Sequence, residues 1–61
     1  MSAENEAYQE GQQILRRLRE LERFCQEIDA SDTACKTRAL ALIAESRQRL
    51  EAALRELAGI V

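Results

Sequence analysis

Apolar residues recur at alternating steps of four and three along almost the whole chain, in two segments joined by a short acidic turn. Because such steps keep side chains on one stripe of a helix with 3.6 residues per turn, they predict two amphipathic helices that pack together. The first stripe consists of Ala7, Gly11, Ile14, Leu18, Leu21, Cys25 and Ile28. The second consists of Ala39, Ile43, Ser46, Leu50, Ala53, Leu57 and Ile60. The pattern therefore predicts an all-α fold.

Composition and capping residues place the ends of these helices. Good helix formers predict helix 1 over about residues 3–28, and the same residue types predict helix 2 over about residues 32–58. Between them, about residues 29–32, stand three side chains whose oxygens can cap a helix start: Asp29, Ser31 and Asp32. The chain is thus expected to fold as one helical-hairpin domain over residues 1–61.

An antiparallel hairpin brings the two stripes into register. The expected layers include Leu18 with Ile43 and Gly11 with Leu50, so that the missing side chain of Gly11 makes room for the leucine. At the end of helix 2, Gly59 is expected in the left-handed conformation that commonly terminates helices.

More apolar side chains remain than one hairpin of 61 residues is expected to hide. A chain this short rarely forms a sufficient core alone, and oligomerisation is one usual remedy. We therefore expect a homodimer in which two hairpins form an antiparallel four-helix bundle. The residues expected at this dimer or partner interface flank the stripes: Tyr8, Leu15, Phe24, Leu40, Leu42, Leu54 and Val61.

Groups for chemistry are scarce. The chain has no histidine, the commonest general base and metal ligand, and no glycine-rich phosphate loop. A non-enzymatic protein without metal or cofactor is expected. Cys25 and Cys35 flank the turn, and the sequence leaves open whether they form a disulfide or remain free thiols.

Charge and the N-terminus bear on partners and location. The net charge of −2 argues against general attraction to nucleic acid or to an acidic membrane. The acidic residues 1–6 lack the apolar core of a signal peptide, and the start at Met1 suggests a whole gene product in the cytoplasm. The basic side chains that could contact phosphate are clustered on helix 1: Arg16, Arg17, Arg19 and Arg23.

The segment Glu27-Ile28-Asp29-Ala30-Ser31-Asp32 resembles the bend of the Rop family of plasmid copy-number regulators. Members of that family form two-fold four-helix bundles from chains of similar size and bind paired RNA loops. The resemblance covers six residues and the topology. The helix 1 face with which that family contacts RNA, which carries Lys, Asn and Gln, has no residue-by-residue counterpart here.

Two functions are therefore expected, in order. The first is a small bacterial or phage regulator or adaptor that binds another protein, as inhibitors, chaperones and antiactivators do. The alternative is a Rop-like RNA-binding regulator that uses the arginines of helix 1.

Overall fold

The computed structural model describes residues 2–29 and 31–61; Met1 and Ala30, a residue of the expected turn, lie outside the described residues. Helix α1 covers Ala3–Glu27 and helix α2 covers Thr33–Ala58. The two helices pack against each other, which confirms the all-α, two-helix hairpin. Helix α1 ends one residue before the expected position, and helix α2 begins one residue after it.

Both helix starts are capped by side chains. The hydroxyl of Ser2 accepts a hydrogen bond of 3.1 Å from the backbone N–H of Asn5. The carboxylate of Asp32 accepts one of 3.0 Å from the N–H of Cys35, so Asp32 is the cap among the three candidates. Each bond satisfies a backbone donor that has no partner within the first turn of its helix.

Lys36 links the start of α2 to the end of α1. Its Nζ donates hydrogen bonds of 2.9 Å to the carbonyl oxygen of Gln26 and 2.6 Å to that of Ile28. These carbonyls belong to the last turn of α1, where acceptors lack intrahelical partners and the helix dipole favours a cation. Lys36 therefore holds the closed end of the hairpin together.

The other end of α2 differs from the expectation. Gly59 caps the helix in the right-handed region, with φ −72° and ψ −16°, so the predicted left-handed conformation is wrong. The backbone N–H of Gly59 bonds to the carbonyl of Glu56, and that of Ile60 to the carbonyl of Leu57. A tightened last turn satisfies these carbonyls without a reversal of the chain direction.

The helices meet along a stripe that coincides only in part with the predicted one. Leu15 and Leu54, expected on the outer flanks, are each only 5% exposed and form the core of the hairpin. Ile14 and Leu21, expected in the seam, are nearly half exposed. Gly11, Leu18 and Cys25 of the predicted seam are buried or half-buried. The prediction is wrong at Ile14 and Leu21, because α1 turns the side of Leu15 toward α2.

The register between the helices is shifted as well. A Cβ built on Gly11 would overlap the Cδ2 methyl of Leu54 and lie 3.4 Å from its Cγ, so Gly11 faces Leu54 and not Leu50. Leu54 is one helical turn further along α2. The predicted layer of Gly11 with Leu50 is corrected accordingly, while the explanation of Gly11 as a site of close packing holds.

The hairpin is long and thin. Its radius of gyration is 14.4 Å, whereas a compact domain of 61 residues would have about 10.5 Å. It exposes 4820 Å² of surface, whereas a compact monomer of 6.9 kDa would expose about 4,000 Å². A single hairpin thus leaves roughly 800 Å² uncovered that a globular chain of this mass would hide.

Candidate functional site: the apolar face of the hairpin

Helix geometry divides the surface of the hairpin into two broad faces. Positions seven apart on a helix lie nearly above one another, so Ile14, Leu21 and Ile28 form one exposed row on α1. On α2 the corresponding row runs through Leu50 and Leu57, which are half-buried. We call the surface that these rows share the apolar face; it comprises Ile14, Leu21, Phe24, Ile28, Ala39, Leu42, Ile43, Ser46, Leu50, Ala53 and Leu57.

A groove at the closed end shows that the two rows lie on the same side of the hairpin. This closed-end pocket, of about 460 Å³, is bounded by Cys25 and Ile28 of α1 and by Cys35 and Ala39 of α2. Lys36 and the acidic residues of the turn complete its rim. Both cysteines carry free thiols and open into this pocket, Cys25 half-buried and Cys35 exposed.

The apolar face carries most of the large exposed hydrophobic side chains. Phe24 is 66% exposed and Leu42 is 64% exposed, although both are large and apolar. Ile60 and Val61 add two more beyond the end of α2. Several large apolar side chains exposed on one side of a monomer with so small a core are typical of an interaction site.

The opposite side of the hairpin is polar, and we call it the arginine face. A second groove, of about 280 Å³, is lined there by Gln12 and Arg19 of α1 and by Arg55 of α2. Arg16 and Arg23 follow from Arg19 at helical spacing and share this face. Of the four arginines expected to contact nucleic acid, Arg17 lies apart, since it is about 100° around the helix from Arg16.

Between the two faces, charged side chains cross the helix pair. Arg47 donates from Nε to Glu22 at 2.8 Å and from Nη1 to Glu51 at 3.0 Å. Glu51 also pairs with Arg19 at 3.2 Å. The hydrogen bond that Arg47 donates to Glu22 and the negative charge of Glu22 raise the pKa of Arg47 above its ordinary value. Desolvation opposes them, and the charge and hydrogen bond of Glu51 add smaller increases.

The expected interface residues separate into three groups. Leu15 and Leu54 lie inside the hairpin, so the expectation that they are surplus to its seam is wrong. Tyr8 and Leu40 are half-buried along the seam. Phe24, Leu42 and Val61 are exposed, as interface residues of a free hairpin must be. The hydrophobic pattern places Ile14 and Leu21 in the inner seam and so does not identify them as surface residues.

The structure offers no constellation for metal chemistry in the part that it describes. Among residues 2–29 and 31–61, no three Cys, Asp or Glu side chains lie close enough together to hold a metal ion. In the same residues, neither helix has an apolar stretch long enough to cross a bilayer.

No protein-family model, no curated protein and no solved structure matches this chain. Function is therefore inferred from the exposed surfaces of the hairpin alone.

Proposed function

We propose that this protein is a small non-enzymatic regulator or adaptor that acts by binding amphipathic helices on its apolar face. In this proposal the first such partner is a second copy, and two hairpins form an antiparallel four-helix bundle. The observation that supports both is the row of Ile14, Leu21 and Ile28, which the hairpin leaves exposed on one side. A row at this spacing is what helix-in-groove recognition uses.

The size of the face supports a stable complex. The Cα atoms of the hairpin extend over 47 Å by 15 Å, a footprint of roughly 700 Å². Stable interfaces bury about 800 Å² of accessible surface on each partner, and accessible surface exceeds the flat footprint. Covering this face would also remove the roughly 800 Å² by which the hairpin exceeds a compact monomer.

Sedimentation equilibrium tests the dimer. The wild-type chain should sediment at twice 6.9 kDa at high micromolar concentration, and its melting temperature should rise with concentration. Leu21→Glu should give a folded monomer, because a carboxylate at the centre of the face would be desolvated without a partner. Gln12→Glu, which adds the same charge at an exposed position of the arginine face, is the matched control and should remain a dimer.

Binding to a different protein is tested with the same pair of variants. Tagged wild-type chain and Gln12→Glu should retain a partner from the source cell that Leu21→Glu loses, and the purified partner should compete with dimer formation. A wild-type monomer that captures such a partner would overturn the dimer and keep the adaptor. If Leu21→Glu kept both the dimer and the partner, the apolar face would be excluded as the binding surface.

RNA binding is the second candidate function, and one observation favours it. Arg16, Arg19 and Arg23 share the face opposite the apolar face, so they would stay open in the bundle. Affinity for a paired RNA loop should then fall steeply with salt, because phosphate contacts release counterions. Arg16→Gln combined with Arg23→Gln should reduce both the affinity and its salt dependence, whereas Arg49→Gln should not. Equal binding by all three proteins would contradict this candidate.

A further inference from the structure

We infer that the second copy lies across the apolar face with its turn at the opposite end, so that its Ile60 closes the pocket over Cys25 and Cys35. This inference rests on the proposed dimer and specifies its arrangement. In it, α1 packs on α1 of the second copy, and α2 packs on α2. The reasons are the symmetry of the two exposed rows, the register of the hairpin and the apolar end of the chain.

The row on α2 is complementary to itself when one copy is reversed. A two-fold axis perpendicular to α2 at the height of Gln48 relates the two copies in this arrangement. It places Ala39 of one copy opposite Leu57 of the other, Ile43 opposite Ala53, and Ser46 opposite Leu50. Every one of these layers sets a large side chain against a small one, which lets the facing rows interdigitate without voids. A two-fold interface requires this property, because the same surface must fit itself.

The row on α1 reverses onto itself as well. A two-fold axis perpendicular to α1, midway between Arg17 and Leu18, places Ile14 of one copy opposite Leu21 of the other and Ala7 opposite Ile28. The two central layers, related by symmetry, therefore join large side chains, while the outer layers join a large one to a small one. All of these residues are exposed in the single hairpin and available for the contact.

The two-fold axis required by the α1 row and the one required by the α2 row lie at the same height along the hairpin. Gly11 packs against Leu54, which sets the register of the hairpin. Six residues on from Gly11 is Arg17, and six residues back from Leu54 is Gln48, so these two positions lie at about the same height along the antiparallel pair. One two-fold axis across the hairpin therefore satisfies both rows, as a single rigid hairpin demands.

The same axis carries the end of one chain to the closed-end pocket of the other. Reversal about Gln48 places Ile60 opposite Lys36, at the rim of that pocket. Ile60 is 66% exposed in the single hairpin, and the pocket of about 460 Å³ has room for its side chain. The side chain of Ile60 and the wall of the pocket are both apolar and exposed to water in the single hairpin, so their contact would bury both.

Cross-linking tests the arrangement. In a background with Cys25→Ser and Cys35→Ser, the double variant Ala39→Cys with Leu57→Cys should give a covalent dimer under oxidised glutathione. The two positions are about 27 Å apart on one helix, so only an intermolecular bridge can form. Ala41→Cys with Leu57→Cys is the matched control, since Ala41 is an exposed alanine on the opposite side of α2. Equal cross-linking of the two variants, or none in a dimeric first variant, would overturn the arrangement.

Thiol reactivity tests the role of Ile60. Reaction of Cys35 with a maleimide should slow several-fold as protein concentration rises through the dimerisation range. Ile60→Ser should restore rapid reaction at a concentration where sedimentation still shows a dimer, and Ile60→Leu should keep the protection. A dimer whose Cys35 reacts equally fast in all three proteins would overturn the contact of Ile60 and leave the dimer standing. A monomeric wild-type chain would overturn both the dimer and this inference.

Discussion

The guanidinium of Arg47 donates a 2.8 Å hydrogen bond to the carboxylate of Glu22 in the middle of the helix pair, at positions where a simple coiled coil would place apolar residues. Both side chains are mostly covered, with about a quarter of Arg47 and a fifth of Glu22 exposed. Arg47 also bonds to Glu51 within α2, and Glu51 in turn pairs with Arg19 of α1, so two of these three ion pairs join the helices. Charged side chains therefore occupy part of the surface between the two helices.

Removal of Arg47 should therefore weaken the fold more than removal of an exposed arginine. Arg47→Met leaves Glu22 partly desolvated without its partner, which destabilises a folded chain. Arg49→Met is the matched control, because Arg49 pairs with Glu45 within α2 at a largely exposed site. We expect a clearly lower urea midpoint for Arg47→Met and little change for Arg49→Met. Equal midpoints would show that the crossing ion pairs contribute nothing.

Gly11→Ala should destabilise the hairpin despite the better helix propensity of alanine. The propensity gain is about 1 kcal/mol, but the new methyl would overlap Leu54, which is buried and cannot move freely. Overpacking of this kind costs about 1–3 kcal/mol, so the net effect should be a loss of up to about 2 kcal/mol.

Urea melts of a double-mutant cycle check the cause of this loss. In a Leu54→Val background the overlap is relieved, and Gly11→Ala should become neutral or stabilising. The same loss in both backgrounds would place the cause elsewhere than in the contact with Leu54.

The sequence predicted the number of helices and the position of the turn because these depend on local features. Helix formers, cap residues and periodic apolar positions act over a few residues, and Asp32 indeed caps α2. The sequence did not predict which stripe faces inward. Apolar residues recur at helical spacing on both sides of α1, so the hydrophobic pattern does not distinguish Leu15 from Ile14 as the residue that faces inward.

Long-range contacts decided between these two stripes. The hairpin places Glu22 and Arg47 between the helices, where their pairing depends on residues 25 positions apart. A sequence pattern assigns such charges to the solvent and Arg19 to its neighbour Glu22, whereas both residues bond to α2. The candidate site was missed for the same reason, because residues assigned to the inner seam, such as Leu21, are those that remain outside.

Leu15→Ala and Ile14→Ala separate the two stripes by experiment. Leu15 is 5% exposed within the hairpin, so its truncation should cost about 2–5 kcal/mol at every protein concentration. Ile14 is 48% exposed in the single hairpin, so its truncation should matter mainly through the dimer. Melts followed by circular dichroism across a hundredfold dilution should show a concentration-dependent loss for Ile14→Ala alone. Identical losses at all concentrations would return Ile14 to the inner seam.

The closed end of the hairpin provides the last prediction, because two polar side chains bond to backbone groups there. Asp32 caps α2 with a bond of 3.0 Å to the N–H of Cys35, and Lys36 caps α1 with two bonds to its terminal carbonyls. Asp32→Ala should cost about 1 kcal/mol, as loss of a helix cap usually does, and Asp32→Asn should restore most of it.

Lys36→Met should be destabilising too, since the carbonyls of Gln26 and Ile28 lose a cationic donor at the negative end of α1. Ser31→Ala is the matched control, because Ser31 is an exposed residue of the same turn that does not cap α2. Hydrogen exchange should show faster opening of the adjoining helix ends in Asp32→Ala and Lys36→Met than in Ser31→Ala. Equal exchange in all three variants would mean that the turn is held by other contacts.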